Sequence, residues 1–334
     1  MVRAVGNTLI RQRQRGGPGN VYRYLGRRLL HSIPVVVAVT VGAFVIIVLV
    51  PGDPALNMLG YNATPESLAI LRRDLGLDRS VPEQFIGFVR GAVVGDFGES
   101  ILKKEPVRDV IATRAVISFS LLFYSAVTAV VVAVPLAILS AVRRNRWQDH
   151  LMRLGSMITF AMPSFWLGLL LALFFAIRLG WLPVAGYDKT NVLTILRSLT
   201  LPAATIGLFL APILARTLRS SIIEVLDQEY VEAARARGYR ESRVIGRHVM
   251  RNSLIATVTV LSLIIGFMIS GSVIVENVFA IPGLGSLIVD AVLQRDYPVI
   301  QALVLFFGLT VIVINLAADL TYAAIDPRVR LVTG

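Results

Sequence analysis

Six uncharged, apolar stretches divide the chain: 32–52, 115–142, 154–177, 198–215, 252–275 and 297–318. Each has the ~18–20 residues a helix needs to cross a bilayer core of ~30 Å. The pattern predicts an all-α integral membrane protein with six transmembrane helices. One more uncharged run, 277–289, is too short to span and contains Pro282, Gly283 and Gly285. It reads as an interfacial or re-entrant piece. Between the first and second spans, 53–114 carries turn signals around two short helices. One covers Pro65 to Leu75 behind a Thr64 cap, the other Val81 to Val94. The spans also hold Pro34, Pro135, Pro163, Pro202, Pro212 and Pro298. These fit either kinked helices or broken helices that line a pathway.

Charge orients the pattern. With both termini on one side, that side carries 21 Lys and Arg in segments 1–31, 143–153, 216–251 and 322–334. The opposite side carries 12, of which eight lie in the long 53–114 segment. Long segments weigh little in topology, so the short loops predict N-in, C-in. The net charge of +12 is then a cytoplasmic loop bias rather than a nucleic-acid footprint. Residues 1–31 are rich in Arg and contain no Ser, and the apolar run after them is long for a cleavable signal. An uncleaved first span is expected. Composition agrees with a membrane protein: 55% hydrophobic, 16% charged, mean hydropathy +0.72.

The absent chemistry is informative. None of the three lysines, Lys103, Lys104 and Lys189, follows a Gly, so no phosphate-cradling Gly-Lys-Ser/Thr loop exists. There is no cysteine, no His-Glu-x-x-His and no Gly-x-Ser-x-Gly elbow. The chain is expected to hold no catalytic residues, metal or cofactor. The one acid within a span, Asp319, stands about a turn from its end. It is either a boundary residue or a partner for a basic group of the inside loop, on one face with Asn315 and Tyr322. An ion-coupled carrier would need more intramembrane charges and an internal repeat.

The inside loop 216–251 carries the strongest local signal. Asp227 suits an N-cap, Glu229 favours the first turn, and Glu232 to Arg237 has high helix propensity. Gly238 suits the left-handed position after the last turn. A second helix is expected from about Glu241 toward the span at 252. Ala233, Ala234 and Ala236 would allow close approach of another surface, Tyr230 and Val231 would anchor it, and the Arg side chains would rim it. A solvated connector lying on the membrane surface is the other reading of the same residues.

Glu232, Ala233, Ala234 and Gly238 match the E-A-A-x-x-x-G signature, and the loop resembles that of permease subunits of bacterial ABC importers. The rest of the chain is similar to the first permease of dipeptide, oligopeptide and nickel importers. The similarity lies in Gly52-Asp-Pro-Ala55, Gly76-Leu-Asp78, Gly95-Asp-Phe-Gly-Glu-Ser100 and Pro163-Ser-Phe165. It continues in Glu276-Asn-Val-Phe279, Pro282-Gly-Leu-Gly285, Arg295-Asp-Tyr-Pro298, Asp319-Leu-Thr-Tyr322 and Asp326-Pro-Arg328. It covers about 22–330. Two departures are Ala256, where the family often has Pro, and Ala115-Val-Ile117, where it usually has Pro-x-Thr.

The resemblance implies a type I importer permease, multi-pass in the bacterial inner membrane. Its parts would be a basic cytoplasmic tail (1–21), a first transmembrane helix (22–52), an extracytoplasmic helical segment (53–114), a five-helix core (115–322) and a cytoplasmic tail (323–334). It implies a second homologous permease, two ATPases that bind ATP and Mg, and an extracytoplasmic solute-binding protein. The ATPase-docking residues would be Asp227, Tyr230, Glu232, Ala233, Ala234, Arg237 and Gly238. A rigid outer loop with Phe279, Pro282, Gly283 and Gly285 would approach the binding protein. The implied cargo is a di- or oligopeptide, with nickel chelates or glutathione-like solutes as the alternative.

Overall fold

A computed structural model describes residues 19–49, 54–59, 63–74 and 76–325. Residues 1–18 of the basic tail, Asp326-Pro-Arg328 and the side chains of Asp319 and Tyr322 lie outside the described residues. The fold is mostly helical. Among the described residues the only strand-like pairing is an isolated bridge between Glu99 and Pro106.

Helix α1 is Gly19–Val48, followed by the short α2 (Pro54–Leu59), α3 (Pro65–Asp74) and α4 (Val81–Val94). The Thr64 hydroxyl accepts from the Ser67 amide at 3.1 Å, which caps α3 as its sequence predicts. Ser80 and Glu83 form a capping box at the start of α4. Next come α5 (Val107–Val142), α6 (Trp147–Ala161) and α7 (Ser164–Leu171), which widens into a π-helical stretch, Ala172–Arg178. Helix α8 is Val192–Leu226 and α9 is Glu229–Ala236. A turn at Glu241–Arg243 and a π-helical stretch, Val244–Val249, lead into α10 (Met250–Val278). Helices α11 (Leu284–Gln294) and α12 (Tyr297–Ile325) complete the chain.

Among the described residues, α5, α8 and the Tyr297–Ala318 part of α12 are long and apolar enough to cross a membrane. Helices α6 and α7 make a fourth crossing if taken as one broken span. The stretch 154–177 is therefore not one straight helix: its two parts meet at 106°. Met162 and Pro163 are both extended, and proline disfavours a helical residue before it while lacking an amide of its own. Pro34, Pro135, Pro202 and Pro212 stay within helices.

Helix α8 is the central post. Two thirds (67%) of its most apolar window is buried inside the chain, against 28% for α5 and α12. It packs most extensively on α5, and then on α10. The buried face of α5 is a ridge of small residues at every fourth position, Ser125, Ala129, Ala133, Ala137 and Ala141. Small residues let helices approach closely where no hydrophobic effect drives them together. On the α8 side, a Cβ at Gly207 would stand 2.8 Å from Thr128 Cβ and 2.9 Å from the Ser125 carbonyl. Gly207→Val should accordingly destabilise the protein by about 1–3 kcal/mol through overpacking. Gly271→Ala, with nothing within 4 Å of the added carbon, should not. Thermal unfolding of both variants in detergent micelles checks the contrast.

Candidate functional site

The candidate site is built around α9. Helix α8 continues past the apolar stretch because Leu218 and Ile222 still face the core. Asp227 ends that helix, its amide donating to the Ile223 carbonyl at 3.3 Å. The first extended residue is Gln228, and no side chain caps α9. Asp227 is therefore not the N-cap that its sequence predicts. Its carboxylate instead stands 3.8 Å from Arg144. Glu229 and Glu232 occupy the first turn, where the helix dipole favours acids.

The other end of α9 follows its sequence. Gly238 has φ +79 and donates to the Arg235 carbonyl, while Tyr239 donates to the Ala234 carbonyl. This pair of bonds is a Schellman closure, which needs a left-handed residue at its second-to-last position.

Burial divides α9 into two faces. Val231 and Ala234, three residues apart, are buried in the same core cluster as Ile222, Val244 and Val249. They are not an outward anchor and a contact residue, as the sequence suggests, because the core claims them. Tyr230, Glu232, Ala233, Ala236, Arg237 and Gly238 are exposed. Two polar ties hold the helix from outside. Tyr230 Oη accepts from Asn252 Nδ2 at 2.7 Å, near the start of α10. Arg235 makes a two-pronged pair with Glu241, at 2.7 and 3.2 Å. The Arg235 guanidinium holds the Glu241 carboxyl below its usual range.

Further along α8, a buried cluster fixes the loop that precedes α6. Asp149 has no exposed surface. It accepts from Arg219 Nε at 2.7 Å and Nη2 at 2.8 Å, and from Arg153 at 2.6 Å. The Asn145 amide donates at 3.0 Å, and Ser140 Oγ donates from the end of α5. One carboxylate thus joins α5, α6 and α8. Sequence reasoning missed it, since Asp149 and Arg219 lie 70 positions apart. A signal existed: Arg219 falls on the helical stripe of Ala215 and Ile222, both fully buried.

At the opposite end, Phe279, Gly283 and Gly285 are buried and Pro282 is partly so. They do not form the projecting loop expected of them. The segment instead folds around the buried carboxylate of Glu276. Glu276 accepts from Ser118 Oγ at 2.6 Å and from the Ser286 amide at 3.0 Å. Ser118 Oγ in turn accepts from the Leu284 amide at 2.7 Å. A Cβ at Gly285 would stand 2.5 Å from Val273 Cα, so only glycine lets the turn close so tightly. Nearby, Ser100 Oγ donates to Asp296 at 2.6 Å, joining two sequence motifs 196 positions apart. Among the described residues, no group of three or more His, Cys, Asp or Glu is arranged to hold a metal ion.

The chain matches the model of the family "Binding-protein-dependent transport system inner membrane component" over residues 133–331. It matches the family's N-terminal counterpart over residues 21–122. It is 44% identical to the glutathione transport system permease protein GsiC of Pectobacterium atrosepticum over 307 residues, covering 92% of this chain and 98% of that one. Identity to the same-named protein of Escherichia coli K12 is 41%, with the same coverage. A solved structure of an inward-facing MetNI methionine ABC transporter has a similar fold. Its TM-score is 0.54 at 17% identity, over 65% of this chain and 96% of that one.

The two kinds of ion pair differ in weight. Asp149→Ala would leave Arg219 without its carboxylate in a largely buried position, at a cost of roughly 3–5 kcal/mol. Arg235→Gln removes a half-exposed pair and should cost no more than about 1 kcal/mol. Comparing the unfolding midpoints of the purified variants tests this ranking.

Proposed function

We propose a function from one premise: the chain belongs to the family of binding-protein-dependent transport system inner membrane components. It is a membrane-spanning permease subunit of an ABC importer. In our reading it crosses the inner membrane six times, with both termini and α9 in the cytoplasm. The 53–114 segment lies outside. The short-loop charge bias supports that orientation. A second permease would complete the pathway, two ATPases would supply ATP and Mg chemistry, and a solute-binding protein would deliver cargo.

The observation that carries the reading is the two-faced helix α9. Its inner face is set in the core by Val231 and Ala234, and its outer face offers Tyr230, Glu232, Ala233 and Arg237. A helix of this kind receives a push on one side and delivers it on the other. The ATPases would close on ATP and carry α9 with them. Because α9 packs on the Val244–Val249 stretch that leads into α10 and is tied to the start of α10, the motion would reach the spans directly. The break between α6 and α7 gives the span bundle a place to bend.

For cargo, we propose a short peptide of the glutathione type. The relatives named as glutathione permeases support it, at 41–44% identity over nearly their whole length. A broader di- or oligopeptide specificity is the second reading, supported by the sequence motifs shared with that group of permeases.

Reconstitution with and without the ATPases tests the mechanism. Uptake should require both ATPases and ATP. Uptake by this chain alone, driven by an ion gradient, would sink it. Gly238→Val places a β-branched residue in left-handed backbone at a cost of roughly 1–2 kcal/mol and should disturb the end of α9. Membrane insertion should persist while ATP hydrolysis uncouples from uptake. Unchanged uptake would count against α9 as the transmitting element.

A further inference from the structure

A second surface lies beside the Asp149 cluster. Between α6 and α8 there is an open cleft of about 870 Å³. That is within the size of small-molecule sites, roughly 300–1,000 Å³. Its lining holds four guanidiniums, those of Arg144, Arg153, Arg216 and Arg219, and no carboxylate. Two carboxylates stand against these four cations: Asp149, behind the cleft, is shared by Arg153 and Arg219, and Asp227 lies 3.8 Å from Arg144. The cleft surface is therefore positive. The cleft at the other end of the molecule, about 750 Å³, has no such bias: three cations there face three carboxylates.

The same cationic cleft is partly apolar. Met152, Met157 and Ile223 line it, and Met157 is largely exposed. Alongside runs an exposed stripe on α6, formed by Trp147, Leu151, Leu154 and Ile158. Exposed tryptophan beside apolar surface and arginine is the pattern of a membrane–water boundary. Guanidiniums hold phosphate oxygens in pairs, and basic pockets between membrane helices on the cytoplasmic side take anionic headgroups.

We propose that this cleft binds the phosphate headgroup of an anionic phospholipid of the inner leaflet, with its acyl chains along Met152, Met157 and the α6 stripe. The proposal rests on the orientation given above, which puts this end of α8 in the cytoplasm. The lipid phosphate spans α6 and α8 next to the carboxylate that already joins them. It braces the helices that carry motion from α9.

The test uses the assembled transporter in nanodiscs of phosphatidylcholine with phosphatidylglycerol, and reads retained lipid by native mass spectrometry. Wild type should retain phosphatidylglycerol selectively over phosphatidylcholine. The double variant Arg144→Gln, Arg216→Gln leaves the Asp149 cluster intact and should lose affinity by roughly 10- to 30-fold, at ~1 kcal/mol per surface cation. Equal retention by variant and wild type would overturn the proposal. So would a wild type without preference for phosphatidylglycerol, a result that needs no variant to fold. Displacement of the lipid by inorganic phosphate alone would mark a free-anion site and overturn the lipid assignment. ATP-driven uptake measured on the same preparations separates this result from the transport reading: lipid retention without uptake would weaken only the latter.

Discussion

A carboxylate with no exposed surface must be met by donors on every side, and Asp149 is so met by donors from α5, α6, α8 and the loop between the first two. Removing that charge from water costs several kcal/mol before any partner returns it. The cost is recovered only when Arg219, Arg153, Ser140 and the Asn145 amide are all in place. The cluster is thus a geometric condition as much as a source of stability. It fixes where α6 begins relative to α8, and α8 leads through Asp227 into α9. Glu276 imposes a similar condition at the other end, where Ser118 Oγ and the Ser286 amide donate to it and the Leu284 amide donates in turn to Ser118. Between the two ends, the small-residue ridge of α5 keeps α8 close without adding polar constraints.

These fastenings explain how a short helix outside the spans can act on them. Helix α9 has few residues and no side-chain cap, and alone it would be marginal. Val231 and Ala234 hold it in the core, the Gly238 closure stops it, and the ties from Tyr230 and Arg235 limit its rotation. A load on its exposed face therefore meets a packed interior rather than a flexible connector. Packed interiors transmit displacement because they are dense.

Local signals were legible in the sequence, and long-range ones were not. The short helices 65–74 and 81–94 follow from a cap, a proline or a capping box within a few residues. The Glu229–Ala236 helix and its Gly238 end follow from propensity and backbone geometry. The N-cap was misplaced by one residue because buried Ile222 carries α8 further than its uncharged part extends. The inward turn of Val231 and Ala234 depends on Val244 and Val249, which come later in the chain. The buried turn around Glu276 reads as a rigid projecting Gly-Pro loop until Ser118 is known to face it. Six similar prolines gave no sign that Pro163 would break its span while four others stay within helices. That difference lies in whether the preceding residue can remain helical.

The central claim is that α9 presents one face to an ATPase while the other stays in the permease. The chain contains no cysteine, so a single introduced thiol reports on one position alone. Neighbouring residues provide the comparison: Ala233 is exposed and Ala234 is buried. In the assembled transporter, Ala233→Cys should cross-link to an ATPase subunit with a short thiol-directed reagent, and Ala234→Cys should not. Cross-linking at Ala234 equal to that at Ala233, or none at Ala233 in a complex that still hydrolyses ATP and imports cargo, would contradict it.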